Sequence, residues 1–407
     1  MKTISLTLLL FLSIIEFNVN AQSFWVQKAD LCDFTRYAAV GFAIGGTGYV
    51  CGGRSNDIVK YLNDLWAYDP ISDTWSQKAD FPAEARSFSV GFALMNKGYL
   101  GLGGRSLGTV LKYFDDFWEY DPITNCWTQK NNFPGGARTG AFAITSNNSG
   151  YVIAGTVEQP FSDVWQYNPI SDQWVQKGDF PGVAKTTLAG FSIADSVYIS
   201  SCDTWNGGNE FWLYNTSTDT WTPKTPIPLP RYGALGFSIG NYGYVGTGDQ
   251  GVISKGIDEL CLNDMWKYDP ISDQWTELPS LNVNYGRSFA ICFTIGQAAY
   301  LGTGYDSTYP SLELNDFWQL DFTVGTNEPL TSGNEPRICI NTNSLDIHCS
   351  KSIKEANLLD CLGQSILRIN PNSNETSLNI ADLASGYYIL SLLYSDKSNY
   401  STKFFKK

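Results

Sequence analysis

One motif recurs six times along the chain: an acid, a short run of alternating aromatics, then a turn. The copies are Asp64-Leu65-Trp66-Ala67-Tyr68-Asp69-Pro70, Asp116-Phe117-Trp118-Glu119-Tyr120-Asp121-Pro122, Asp163-Val164-Trp165-Gln166-Tyr167-Asn168-Pro169, Glu210-Phe211-Trp212-Leu213-Tyr214-Asn215, Asp264-Met265-Trp266-Lys267-Tyr268-Asp269-Pro270 and Asp316-Phe317-Trp318-Gln319-Leu320-Asp321. A second tryptophan follows each of the first five (Trp75, Trp127, Trp174, Trp221, Trp275). The sixth copy has none, but Trp25 stands alone near the start. The steps between these markers are 50, 52, 47, 47 and 54 residues. Self-similarity on that scale means one supersecondary unit per repeat, each burying its apolar face against the next.

Each period reads as four strands. In the second, Ser87 to Met95 is an innermost strand, 98–102 the next, 116–120 the third and 126–130 the fourth. A glycine pair, read as Gly52-Gly53 and Gly103-Gly104, lets backbones approach near the axis. It weakens to Ala154-Gly155, Ser200-Ser201, Thr247-Gly248 and Thr303-Gly304. The Asp-Pro-Ile-Ser-Asp type of segment turns the chain into the fourth strand, because Pro presets φ and Asp caps the turn. Six units need six outer strands, yet only five follow their own units. The stretch Phe24 to Lys28 supplies the sixth, so the N-terminal strand is expected to close the ring and leave no open sheet edge.

A basic residue, a glycine pair, an aromatic pair and a tryptophan, in that order, resemble the kelch repeat, and a period near 50 agrees with it. The resemblance spans residues 24–322 and implies an all-β fold: a six-bladed kelch β-propeller closed by the N-terminal strand, over residues 22–322. Unit four departs from the pattern, with Lys185 for arginine and two serines for the glycines.

Residues 1–21 read as a secretory signal peptide: Lys2, an apolar run too short to span a bilayer, then Val19-Asn20-Ala21. Residues 323–336, rich in Gly, Pro, Thr, Asn and Glu, are a linker. In residues 337–407, the stretches 344–347, 357–360, 377–380 and 386–393 read as short strands of a small C-terminal β-sandwich. Asp360, Leu362-Gly363, Leu383-Ala384-Ser385-Gly386-Tyr387-Tyr388 and Lys403 make this unit resemble the type IX secretion C-terminal sorting domain. Ile340-Asn341-Thr342-Asn343 stands where that family has Pro-Asn-Pro. The resemblance implies an exported protein, surface-attached or secreted, whose tail engages the secretion and attachment machinery.

The formal net charge is −13, and residues 22–322 carry 18 Lys and Arg against 31 Asp and Glu. An acidic propeller repels phosphate backbones, so no nucleic-acid partner is expected. The nine cysteines are irregularly spaced with no CxxC, and read as scattered small hydrophobes rather than a disulfide framework or metal site. His348 is the one histidine and lies in the tail, so no His-based triad or metalloprotease motif exists in the propeller. It also excludes the copper site of some kelch oxidases. No cofactor and no metal are expected.

Strand alternation gathers Arg36, Arg86, Arg138, Lys185, Arg231 and Arg287 on one rim with Asp64, Asp116, Asp163, Glu210, Asp264 and Asp316. Either these cations ring the channel mouth and grip a ligand, or each serves an ion pair of its own blade; matching stoichiometry favours the second. The non-repeating loops of that face, 249–262, 305–314 and 105–114, are the better ligand candidates, with Trp205 in Asp203-Thr204-Trp205-Asn206-Gly207-Gly208 suited to stacking on a sugar or peptide. The function expected is a monomeric module that binds a surface protein or a glycan without catalysis. The alternative is a carbohydrate-active enzyme resembling the sialic-acid epimerase kelch proteins.

Overall fold

The computed structural model describes residues 24–31, 34–56, 60–182, 186–203, 208–250, 261–281, 283, 285–307, 312–321, 337–340, 344–359, 365–383, 386–396 and 399–406. The signal segment and the linker lie outside them. Residues Ser23–Thr323 form one compact unit and Val324–Lys407 belong to a second.

Six four-stranded antiparallel sheets, the blades, make up the first unit. Blade 1 runs Val40–Ile44, Thr47–Ser55, Lys60–Asp69 and Thr74–Gln77, from the axis outward. Blades 2 to 5 repeat that order along the chain. Blade 6 combines Ile291–Ile295, Ala298–Gly302 and Phe317–Asp321 with the N-terminal strand Phe24–Lys28 on its outside. Trp25 faces Leu320 and Lys28 faces Phe317 across that last ladder. The ring therefore closes as the missing sixth tryptophan predicted.

The two repeat tryptophans have separate duties. The second one clamps neighbouring blades. Trp75 Nε1 donates to the Ala29 carbonyl at 2.8 Å, Trp127 to Ala79 at 2.9 Å, Trp275 to Thr225 at 2.8 Å and Trp25 to Pro279 at 3.2 Å. Its ring also packs edge-on against a neighbour's phenylalanine, as Trp75 does on Phe317 and Trp174 on Phe117. The buried tyrosine of the motif completes the clamp. Tyr68, Tyr120, Tyr167, Tyr214 and Tyr268 donate to Asp73, Asn125, Asp172, Asp219 and Asp273, each five residues on. Those turn residues have positive φ, where Asp and Asn are tolerated. Asp73 in turn accepts the Ala29 amide, and Asn125 the Ala79 amide, of the preceding blade. Blade 6 has no such turn, because its outer strand comes from the other end of the chain. With no acceptor to reach, the tyrosine position there holds Leu320, fully buried. A buried phenol without a partner would cost about 1–3 kcal/mol, and leucine avoids that.

The glycine pair falls in a different register from the one read in the sequence. In blade 2 its structural equivalent is Leu102-Gly103, not Gly103-Gly104: both Leu102 and Gly103 have positive φ, like Gly52-Gly53, Ala154-Gly155, Thr247-Gly248 and Thr303-Gly304. Only the second position demands glycine. A Cβ on Gly53 would sit 2.8 Å from the Tyr37 carbonyl oxygen, and one on Gly248 2.8 Å from that of Tyr232.

In the second unit the described strands make one six-stranded antiparallel sheet, where a small β-sandwich was expected, built around one strand, Ser344–Leu359. It pairs with Arg337–Ile340, Ser365–Ile369, Ser373–Asn379 and Gly386–Tyr394, and Asn399–Lys406 pairs with the last of these. The sequence suggested two strands in this interval. Leu345, Ile347 and Ile353 are buried at odd positions, but Ala356 and Leu358 at even ones, and the register shifts between Ile353 and Glu355. A bulge there flips the alternation without ending the strand.

Candidate ligand-binding mouth

All five described rim arginines make the same contacts. Arg36 donates two parallel bonds of 2.7 Å to Asp64, and Arg287 donates to Asp316 at 2.9 and 2.7 Å. Arg86, Arg138 and Arg231 grip Asp116, Asp163 and Asp264 in the same fork. Each also donates to the carbonyl sixteen residues on: Gly52, Leu102, Ala154, Thr247 or Thr303. The carboxylate accepts a further bond from the first motif tryptophan, two residues along, as Trp66 Nε1 gives Asp64 at 2.8 Å and Trp318 gives Asp316 at 2.6 Å. Phenylalanines cover two of the guanidinium planes, Phe114 over Arg86 and Phe161 over Arg138. All five arginines are 0–3% exposed. Burial would raise the Asp316 carboxyl, but the bonds from Arg287, Trp318 and Tyr285 outweigh it and hold the group below its ordinary value. This collar presents no exposed guanidinium to a ligand. Lys185 and Trp205 lie outside the described residues, as do 251–260 and 308–311 of the two other candidate loops.

The mouth itself begins two residues after each arginine. Ala38, Phe88, Gly140, Thr187, Gly233 and Phe289 occupy equivalent places in the six blades, all with φ between 51 and 62°. They bond to one another around the axis. The Ala38 amide donates to the Phe289 carbonyl, Phe88 to Ala38, Gly140 to Phe88, Thr187 to Gly140 and Phe289 to Gly233, at 2.8–3.1 Å. This backbone girdle needs the left-handed conformation, which glycine adopts without strain. Blades 3 and 5 have glycine there. Blades 2 and 6 have phenylalanine, for which the conformation costs roughly 1–2 kcal/mol.

The two phenylalanines are half-buried and their rings meet at 5.1 Å, edge to face, although blades 2 and 6 are not neighbours. They begin a continuous chain of five rings. Tyr232 lies 5.9 Å from Phe289, Phe88 lies 6.5 Å from Tyr37, and Tyr37 lies 5.7 Å from Tyr305. Gly233 makes room for this chain, since a Cβ there would come within 2.8 Å of the Phe289 ring. The aromatics occupy the adjoining blades 5, 6, 1 and 2. The equivalent places in blades 3 and 4 carry Thr139, Thr186 and Thr187. Burial raises the Tyr37 phenol above its ordinary value, so it stays neutral.

Two hairpins wall the aromatic side. Gly104–Leu107 and Val110–Tyr113 form one, with Val110 and Leu111 exposed at its tip. Its Ser106 amide donates to the Tyr61 hydroxyl of blade 1 at 3.0 Å. Tyr305–Asp306 and Leu312–Glu313 form the other, whose Glu313 accepts the Asn56 amide at 2.8 Å and the Thr35 hydroxyl at 3.3 Å.

The family model for the KLHDC2/KLHL20/DRC7 Kelch-repeats domain matches residues 32–200, and the Kelch motif matches 255–282. The Secretion system C-terminal sorting domain matches 341–407. The chain is a kelch-repeat propeller with a secretion-sorting tail. It is exported, to the cell surface or beyond, and the tail interacts with the secretion machinery. No curated protein matches it in sequence. Among solved structures, the one titled "Structure of YjhT" is similar at a TM-score of 0.60 and 14% identity, over 72% of this chain and 97% of that one. That likeness concerns the fold alone.

Behind the mouth, the axis of this kelch propeller is a cavity of about 410 Å3 lined by the innermost strand of every blade. Small residues such as Ala39, Gly41, Ser89, Gly91, Ala234 and Gly236 recur in it. None of the described residues lining the cavity or the backbone girdle above it carries a carboxyl, ammonium, guanidinium or imidazole group. Within the cavity lining the one titratable side chain is Cys292, whose thiol burial pushes up to about 12, and the mouth adds the phenols of Tyr37, Tyr232 and Tyr305. Cys51, Cys126, Cys261, Cys292 and Cys349 are thiols.

Sequence reasoning missed Tyr37, Phe88, Tyr232, Phe289 and Tyr305 as a group. The available signal was variation at a repeat position: one and two places after the basic residue, the units differ among Gly, Ala, Ser, Thr and large aromatics.

Proposed function

We propose that this kelch propeller is an exported binding module whose ligand sits on the aromatic mouth, and that it works as a monomer without catalysis. The observation that carries the reading is the phenylalanine pair in left-handed backbone. A structural girdle is served better by glycine, as Gly140 and Gly233 illustrate. Strain retained at Phe88 and Phe289 points to a use for their side chains. The collar arginines, by contrast, hold the blades together and do not form the ligand ring. Binding is favoured over turnover because the cavity lining has no carboxyl, ammonium, guanidinium or imidazole group for general acid–base chemistry, and burial raises the pKa of the mouth's Tyr37 phenol.

Two experiments test this. The secreted chain is screened against glycan and surface-protein arrays, and in parallel for mutarotation and hydrolysis of sugar acids. Binding lost in Phe289→Ala supports the reading; turnover abolished by changing one rim carboxylate overturns it in favour of the carbohydrate-active alternative. The division into propeller and tail has its own test. Deleting residues 337–407 is expected to leave a folded propeller that is no longer displayed at the surface, and unchanged display would remove the sorting role.

A further inference from the structure

The mouth has a chemistry of its own that narrows the ligand class. From it we infer that the ligand is a neutral saccharide, one sugar ring of which stacks on the Phe88–Phe289 pair while its hydroxyls face Thr139, Thr186 and Thr187. This rests on the reading of the mouth as the binding site.

Three features lead there. First, charge is absent from the floor of the mouth. The mouth is lined by Ala38, Phe88, Gly140, Thr187, Gly233, Phe289 and the residue following each, with no ionisable group among them. The five described collar arginines below it are each neutralised by a two-pronged carboxylate contact. Arg54, beside Tyr37, and Arg105, both over the Tyr61 ring, flank the crescent outside those pairs; the floor that a ligand would stack on is itself uncharged, and it lies in a protein of net charge −13, which disfavours a sugar acid or an acidic peptide. Second, the mouth is divided as a pyranose is. A sugar ring has an apolar C–H face and a hydroxyl edge. The aromatic crescent of blades 5, 6, 1 and 2 matches the face, and the threonines of blades 3 and 4 match the edge. Third, the girdle amides are already used. Those of Ala38, Phe88, Gly140, Thr187 and Phe289 donate to neighbouring blades. An extended peptide therefore finds no donors there for strand addition, which is the usual source of its affinity.

The test is calorimetry on the full secreted chain with cellohexaose, xylohexaose and mannohexaose as neutral probes, and hexagalacturonate and sialyllactose as acidic ones. At least one neutral probe is expected to bind, with an affinity that holds between about 50 and about 500 mM salt, where an ionic contact would be screened away. Phe88→Ala and Phe289→Ala are expected to weaken it at least about tenfold, or about 1.4 kcal/mol, with unchanged melting. Binding of the acidic probes alone, or silence across the neutral panel, overturns the saccharide inference. If a surface protein binds instead and both phenylalanine variants lose it, the saccharide inference falls and the mouth stands. If a bound ligand of either kind is indifferent to both variants, the mouth itself falls as the binding site.

Discussion

Arg86 and Phe88 stand two residues apart at the entrance to the same strand, and they follow opposite rules. The arginine is one of five that repeat with the same carboxylate, the same carbonyl partner and the same burial. The phenylalanine sits in a position where the blades disagree, half-exposed, in a backbone conformation it tolerates poorly. A contact repeated in every blade answers a need that every blade has, which is to hold its own sheet and meet its neighbour. A residue that breaks the repeat, and costs stability where it does so, is explained by something outside the ring. The collar and the mouth thus separate the work of folding from the work of recognition within a single turn of chain.

The largest effect that sharpens this contrast lies on the folding side. Removing residues 22–29 strips the outer strand from blade 6 and bares the edge Phe317–Asp321. Melting is expected to fall by more than about 10 °C, with aggregation through the open edge. A truncated chain that stays monomeric with unchanged melting would show that the ring does not depend on this clasp.

Next in size is the collar. Arg287→Ala leaves Asp316 buried without its partner, which costs about 3–5 kcal/mol, read as a shift of the denaturant midpoint. A loss under about 1 kcal/mol, the value of an exposed pair, would demote the collar to a surface feature.

Smaller still is the acid response. Asp316 has a folded-state pKa below its unfolded value, so its contribution is complete above the unfolded value of about 3.9 and is lost as pH falls through the folded one. The propeller is expected to lose stability below about pH 4, and the Arg287→Ala variant to lose less over that window. Equal slopes in the two proteins would mean that the pair does not set the acid limit.

Much of the collar and almost none of the mouth was legible in the sequence. The six motifs, the odd tryptophan Trp25 and the acid-to-arginine stoichiometry predicted blades, clasp and ion pairs, because repetition makes a structural residue stand out. The glycine pair was misread by one position in blade 2, where Gly101-Leu102-Gly103-Gly104 offers glycines on both sides and only φ tells which are equivalent. The tail strand was split in two because a bulge reverses alternation without any turn residue to announce it. The five rings of the mouth come from blades far apart in sequence, and nothing in a linear pattern says that Phe88 reaches Phe289 across 201 positions.

The most direct test of the division between collar and mouth is a paired measurement on Arg86→Ala and Phe88→Gly: thermal melting of each, and affinity of each for whichever neutral oligosaccharide the parent chain binds. The two effects are expected to cross. Arg86→Ala should melt well below the parent, while its folded fraction binds with parental affinity. Phe88→Gly, relieved of its left-handed strain, should melt with the parent and lose binding at least about tenfold. Two variants that move together, each losing stability and affinity in proportion, would contradict the division and make the mouth another part of the frame.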